Sequence, residues 1–221
     1  MFNLLYEIGK IISFALSLPK SLIVNFRYLP LSQAIRLPIL ISHRIKLNKL
    51  NGSIQLDRVK TGIVQIGFGS LGQNSGRQDS VWCLDGAIRF RGKTRIGCGV
   101  KLMIHGKLTL GNNLIASHNF FITCSERVDI DDDALFSWNV TIMDTDSHSI
   151  YQDGQQINRP SPISIGKHVW TGCDTLILKG THIGMGSVIA ARSVVTASTI
   201  EASRLIAGAP AKVIKHGISW E

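Results

Sequence analysis

Cut every six residues, the stretch from Ile165 to Ile200 reads IGKHVW TGCDTL ILKGTH IGMGSV IAARSV VTASTI. The first position of each block holds Ile165, Thr171, Ile177, Ile183, Ile189 and Val195, five of the six being β-branched aliphatics. The fifth holds Val169, Thr175, Thr181, Ser187, Ser193 and Thr199, and the second is mostly small: Gly166, Gly172, Gly184, Ala190. An amphipathic helix would place apolar residues at i, i+3, i+4 and i+7, which these blocks do not. A six-residue period instead makes one short strand and one corner, and three such faces close one turn of a triangular coil. The aliphatic at each first position points inward and stacks on its equivalents above and below. Gly or Asp after it is expected to tolerate the bend. Each coil bonds to its neighbours as parallel sheet, so no coil is stable alone and the ends need caps. The blocks predict an all-β fold, a parallel β-helix.

The frame runs upstream less strictly, through Ile96, Leu102, Leu110, Ala116, Ile122, Ile130, Phe136 and Ile142. Two-residue slips after Leu102 and Ile122 lengthen these coils to about 20 residues from 18. We therefore place the coil domain at 85–200, with a cap region at 1–84 and a short C-terminal extension at 201–221, where Pro210 is expected to stop further ladder pairing. The frame fails between Ile142 and Ile165. The interruption at 143–164, MDTDSHSIYQDGQQINRPSPIS, is polar and carries Pro160 and Pro162, so it reads as an excursion from the coil. Long loops on a rigid scaffold are favoured homes for chemistry. This one opens with Asp144, Asp146 and His148 in a D-x-D-x-H arrangement.

The 221 residues are 44 % hydrophobic and 18 % charged, which excludes wholesale disorder. Cys83, Cys98, Cys124 and Cys173 form no C-x-x-C pair, so reduced thiols are expected rather than a zinc knuckle or disulfide scaffold. No apolar run reaches the length of a membrane span. The N-terminus lacks a basic n-region and a cleavage site, which argues against a signal peptide and for a cytoplasmic protein. The net charge of +9 is uneven: residues 1–95 hold 14 Lys and Arg against 4 Asp and Glu, and residues 96–221 hold 10 against 11. In the basic part, aliphatics alternate with Lys20, Arg27, Arg36, Arg44, Lys46 and Lys49. Pro19, Pro30 and Pro38 are expected to break it into short helical or irregular pieces. No nucleic-acid motif accompanies the charge. A basic, apolar mixture suits anionic lipid headgroups or an acidic glycan better, beside the plain alternative of a solvated face.

Four segments carry a family resemblance: the hexapeptide frame, NVTIMDTDSH (Asn139–His148), VWTGCDTLILKG (Val169–Gly180) and AGAPAKVIK (Ala207–Lys215). Together they resemble the left-handed β-helix acyltransferases, above all the sugar O-acetyltransferases of bacterial surface-polysaccharide assembly, and FRYLPLSQAIRLPI (Phe26–Ile39) with the terminal ISW (Ile218–Trp220) resembles the subgroup of capsule and lipopolysaccharide assembly. The general likeness covers about residues 85–216. It implies a left-handed coil, acetyl-CoA as acyl donor, no required metal, a homotrimer with the active site between subunits, and a sugar or glycan acceptor. His148 matches the family's general base, a role that suits an imidazole titrating near neutrality. Asp144 or Asp146 would orient it or bind acceptor hydroxyls, beside the alternative that each only shapes a turn. Trp170 matches the tryptophan of the cofactor channel, with Gly172 and Cys173 along the same coil. Ala190 and Ala191 match the small pair against the pantetheine arm, and Thr196 lies further along. Lys212 and Lys215 match basic positions that neutralise coenzyme A phosphates. Asn139 and Ser117 are the candidates for acceptor binding.

Two residues depart from the pattern. Thr171 replaces the aliphatic usual after the tryptophan, and Arg192 stands where the family commonly has Gly. His105, His118, His168 and His182 fall in the repeat at irregular spacings without an H-x-x-x-x-H pair, so no metal site is expected. The same scaffold could acetylate an amino sugar's nitrogen or a small alcohol, and the His loop barely separates these from a sugar hydroxyl. A bare β-helix binding module would lack the polar excursion. The basic, apolar cap suits a glycan acceptor carried on a lipid at the inner membrane face.

Overall fold

The computed structural model describes residues 2–69 and 79–221. Among these, three sheets of nine, seven and seven strands run the length of the molecule, and successive strands visit them in rotation. We call them faces I, II and III. All neighbouring strands within a face are parallel except the last pair of face I. Their registers place the first-position residues in vertical columns. Face I stacks Ile41, Ile66, Ile96, Ala116, Phe136, Thr171, Ile189 and Ile206. Face II stacks Trp82, Leu102, Ile122, Ile142, Ile177 and Val195. Face III stacks Phe90, Leu110, Ile130, Ile165, Ile183 and Ile200. Every one of these is buried, and the columns are the core. The Phe136 ring fits because its column neighbours, Ala116 and Thr171, are small.

Corners hold the coils at close range. A Cβ on Gly172 would stand 2.5 Å from the Ala191 nitrogen, and one on Gly111 would stand 2.3 Å from the Asp131 carbonyl carbon. Glycine is therefore required at these second positions because the next coil's backbone passes over it. That corrects the expectation of bend tolerance, since neither residue has a positive φ. The bend itself falls two residues after the second position, in left-handed conformations at Asn119 (φ 57°), Asn139 (φ 56°), Asp174 (φ 55°) and Arg192 (φ 59°). Asn and Asp adopt this region more readily than other non-glycine residues.

The coil extends beyond both expected boundaries. Strands Ile39–Ile41, Ile45–Leu50 and Ser53–Leu56 already form one strand on each face, so no break in the sheets falls at residue 84/85. The part of the expected cap at 70–78 lies outside the described residues. Downstream, Ser198–Ile200 and Arg204–Gly208 continue faces III and I in parallel. Pro210 does not end pairing: it sits in a hairpin whose return strand, Ala211–His216, lies antiparallel on Arg204–Gly208. The helical cap is one long α1 (Phe2–Tyr28) and a short α2 (Leu31–Ala34). Pro19 lies inside α1 without breaking it. Ser17 and Ser21, on either side of Pro19, pin the helix to the first coil: the Ser17 hydroxyl accepts from the His43 N–H (2.9 Å) and the Ser21 hydroxyl from the Ile41 N–H (3.0 Å).

Candidate active site

The excursion leaves face II after strand Thr141–Met143 and rejoins at Ile163–Ile165 on face III, so it springs from the edge between those faces. Asp144 roots it. Its carboxylate is fully buried and accepts from three backbone N–H groups of the preceding coil: Ser125 on Oδ1 (2.7 Å), and Glu126 (2.7 Å) and Arg127 (2.8 Å) on Oδ2. With both oxygens committed to that corner, Asp144 holds the loop's root; this corrects its expected part in orienting an imidazole. Beside it, burial first and the Asp144 charge second push the Cys124 thiol up to about 12.

Asp146 is exposed and ion-paired with Lys179 of the next coil. The Asn158 amide donates to Asp146 Oδ2 (2.8 Å) and to the His148 carbonyl (2.8 Å), and its oxygen accepts from the Ile150 N–H (2.6 Å). The Lys179 ammonium beside Asp146, helped by Asn158, holds its carboxyl below the usual carboxylate range. His148 follows Ser147, itself in a left-handed turn (φ 64°), and presents an exposed ring. Among the described residues no hydrogen bond joins either carboxylate to that ring, so Asp146 steadies the backbone that carries the imidazole. Sequence reasoning missed Lys179 and Asn158. Both are ordinary surface types 33 and 12 residues from Asp146, and only the fold brings them together.

The remaining candidates stand on a different edge. Ser117, Asn139, Gly172, Cys173, Ala190 and Ala191 lie where face I turns into face II. Asn139 there is one rung of a polar ladder: its oxygen accepts from Asn119 (2.8 Å) and its amide donates to Asp174 (2.8 Å). Asn119, Asn139, Lys101, Phe121 and Thr141 line a neighbouring cavity of about 400 Å³. Trp170 is a partly exposed residue of face I whose indole N–H points at Ser137 Oγ (3.4 Å). Gly172 makes room for the Ala190–Ala191 backbone above it. Arg192, also at this edge, is exposed. Thr196 does not join this group: it follows strand Val194–Val195 and stands on the II–III edge, two coils above the excursion.

Lys215 pairs with Leu205, which registers with Val188 and then Trp170, so Lys215 lies three strand spacings, about 14 Å, along the sheet from that indole. Lys212 is exposed on the same outer strand. The C-terminal tail returns to this column. Trp220 stacks on His168 (centroids 4.0 Å, planes 3° apart), donates to the His168 carbonyl (3.0 Å), and packs tilted against Trp170 at 5.9 Å. Sequence reasoning gave Trp220 no part in the site. Elsewhere Cys83, Asp85 and His105 offer three ligand atoms close together. Asp85 there already holds the Lys49 ammonium (2.7 Å) and the Asn51 amide (2.9 Å), which a cation would have to displace.

No family model matches the chain. It is 33 % identical over 144 residues to a putative lipopolysaccharide biosynthesis O-acetyl transferase, WbbJ, of Escherichia coli K12, covering 59 % of this chain and 72 % of that one. It is 36 % identical over 121 residues to a polysialic acid O-acetyltransferase of Neisseria meningitidis, spanning about half of each (54 %). Among solved structures, the polySia-specific acetyltransferase NeuO matches with a TM-score of 0.55 and 26 % identity over 82 % of this chain and 74 % of that one. Relatives and fold agree with the repeat, and the chain belongs to the left-handed β-helix, hexapeptide-repeat acetyltransferases.

Proposed function

We propose that the protein transfers the acetyl group of acetyl-CoA to a hydroxyl of a surface-polysaccharide sugar or its precursor, as a homotrimer at the cytoplasmic face of the membrane. The observation that carries this reading is the division of the site. An exposed histidine on a braced loop occupies the II–III edge of the coil, whereas the two alanines stand at the I–II edge with Trp170 and the C-terminal lysines on face I beside it. Either half alone lacks a partner for acyl transfer. Threefold packing of the prisms sets the II–III edge of one copy against the I–II edge of the next and completes a site at each boundary.

His148 takes the proton of the acceptor hydroxyl as its oxygen attacks the thioester carbonyl. The imidazolium then returns that proton to the departing coenzyme A sulfur. General-base assistance of this kind contributes roughly 10²–10⁴-fold, and positioning contributes much of the rest. The pantetheine arm approaches the backbone at Ala190 and Ala191, where short side chains leave room, with Trp170 beside it and Lys212 and Lys215 toward the phosphates. Ser117 and Asn139 border the acceptor.

Calorimetric titration of acetyl-CoA and of free CoA tests the donor half without knowledge of the acceptor. The native protein is expected to bind both, and a Lys212→Ala/Lys215→Ala double variant to bind more weakly. His148→Ala is expected to keep binding and to lose turnover by about 10²-fold or more. Absence of any CoA binding by the native trimer would sink the proposal.

A further inference from the structure

The α1 helix carries its polarity inside out. Ser17, Ser21 and Asn25 recur every fourth residue and, together with Val24, which joins the core, make up the face it buries. They pair with the open edge of the first coil: Asn25 accepts from the Ile39 N–H (3.1 Å) and donates to the Ile39 carbonyl (2.6 Å), above the Ser21 and Ser17 contacts already described. Lys20 adds donations to the His43 (2.6 Å) and Ile45 (2.5 Å) carbonyls. The outward side is apolar: Ile12, Phe14, Leu16, Leu22, Ile23 and Phe26 are 43–55 % exposed. Leu31 and Ile35, in and just after α2, continue the apolar surface. A helix serving only its own protein turns such residues inward. This one is attached by hydrogen bonds and by Val24 and Tyr28 at the core, which leaves its broad apolar side for another medium.

Two observations identify that medium. Among the described residues no helix is long and apolar enough to cross a membrane, so α1 cannot serve as a span. Exposed arginines also flank the apolar surface, and among the described residues Arg27, Arg36 and Arg44 make no ion pair with a carboxylate. Two copies of this face brought together would set like charge against like charge, since residues 1–95 hold 14 Lys and Arg against 4 Asp and Glu, and would give these arginines nothing to neutralise. Lipid phosphates would. We infer that α1 lies flat in the surface of an anionic bilayer, with Ile12, Leu16, Ile23 and Phe26 at the acyl boundary and Arg27, Arg36 and Arg44 against headgroup phosphates. This gives a mechanism to the membrane location proposed above and rests on that reading only for which membrane is used.

Vesicle flotation of the full chain tests it. The native protein is expected to float with phosphatidylcholine–phosphatidylglycerol vesicles, less with phosphatidylcholine alone, and less as salt is raised. Ile12→Gln/Ile23→Gln/Phe26→Gln and Arg27→Gln/Arg36→Gln/Arg44→Gln should each cut partitioning about tenfold or more. Because every substituted residue is exposed, circular dichroism, sedimentation rate without vesicles and CoA binding should stay as in the native protein. Native protein that remains unbound with anionic vesicles, or binds neutral ones equally, overturns the inference. So does an apolar variant that sediments as a smaller species, since the face would then join copies of the chain. CoA binding is read separately, so failure here is distinguishable from failure of the acetyltransferase reading.

Discussion

Thr171 is the inward residue of its block and is fully buried, yet among the described residues its hydroxyl finds no partner. An aliphatic would fill the same volume between Phe136 and Ile189 without an orphaned polar atom. Thr171→Val is therefore expected to raise unfolding stability by about 1–2 kcal/mol, measured by chemical denaturation. Asp144 is the opposite case, a buried charge satisfied three times over. Asp144→Asn keeps the shape but removes the charge and puts a donor where backbone donors converge. It should cost about 2–3 kcal/mol while leaving turnover per folded molecule near native. A fall in turnover at unchanged stability would instead return Asp144 to the chemistry.

Elements set how much was legible beforehand. From Ile96 to Val195 the hexad positions named from sequence are the buried columns, because a corner-to-corner strand leaves a fixed count between inward residues. The coils before them were hidden by uneven spacing: Ile41, Ile66 and Ile96 stack directly but stand 25 and 30 residues apart. The site was legible in its residue types and excursion, and illegible in its pairings. Lys179, Asn158 and Trp220 act through contacts between coils or across the tail, which no local spacing reports. The Asp146–Lys179 tie carries a pH prediction. Asp146's folded pKa is depressed, so its contribution is present above the unfolded carboxylate value of about 3.9 and is lost as pH falls through the lower folded value. The excursion's amide protection against hydrogen exchange should drop in that acid window, and Lys179→Met should remove the step. At the tail, deleting Trp220 and Glu221 removes the ring packed on Trp170. An aromatic contact of this kind contributes up to about 1.5 kcal/mol, so KM for acetyl-CoA should rise by up to about tenfold with kcat little changed.

The whole molecule is a stack in which each coil is covered by the next, with α1 closing one end and the C-terminal hairpin paired onto the other. Stability in such a stack resides in the interfaces between coils. A chain begun at residue 85 would expose the strand edges at Ala87–Phe90 and Thr94–Ile96 that strands Ser53–Leu56 and Val64–Ile66 now cover. It is expected to be insoluble or monomeric and misfolded by size-exclusion chromatography and circular dichroism, whereas an independent 85–200 domain would remain folded. The stack also has a scale along its axis. The α1 helix bonds along strand Ile39–Ile41, so it lies across the end of the prism, and the excursion departs from face II four strands beyond the first coil. At the spacing of parallel strands that is about 19 Å. With α1 flat on a lipid surface, the coil stands upright as a gauge post. On that inference, and with the proposed glycan acceptor carried on a lipid, the number of coils between anchor and excursion would decide how far from the lipid end the first acetyl group is placed.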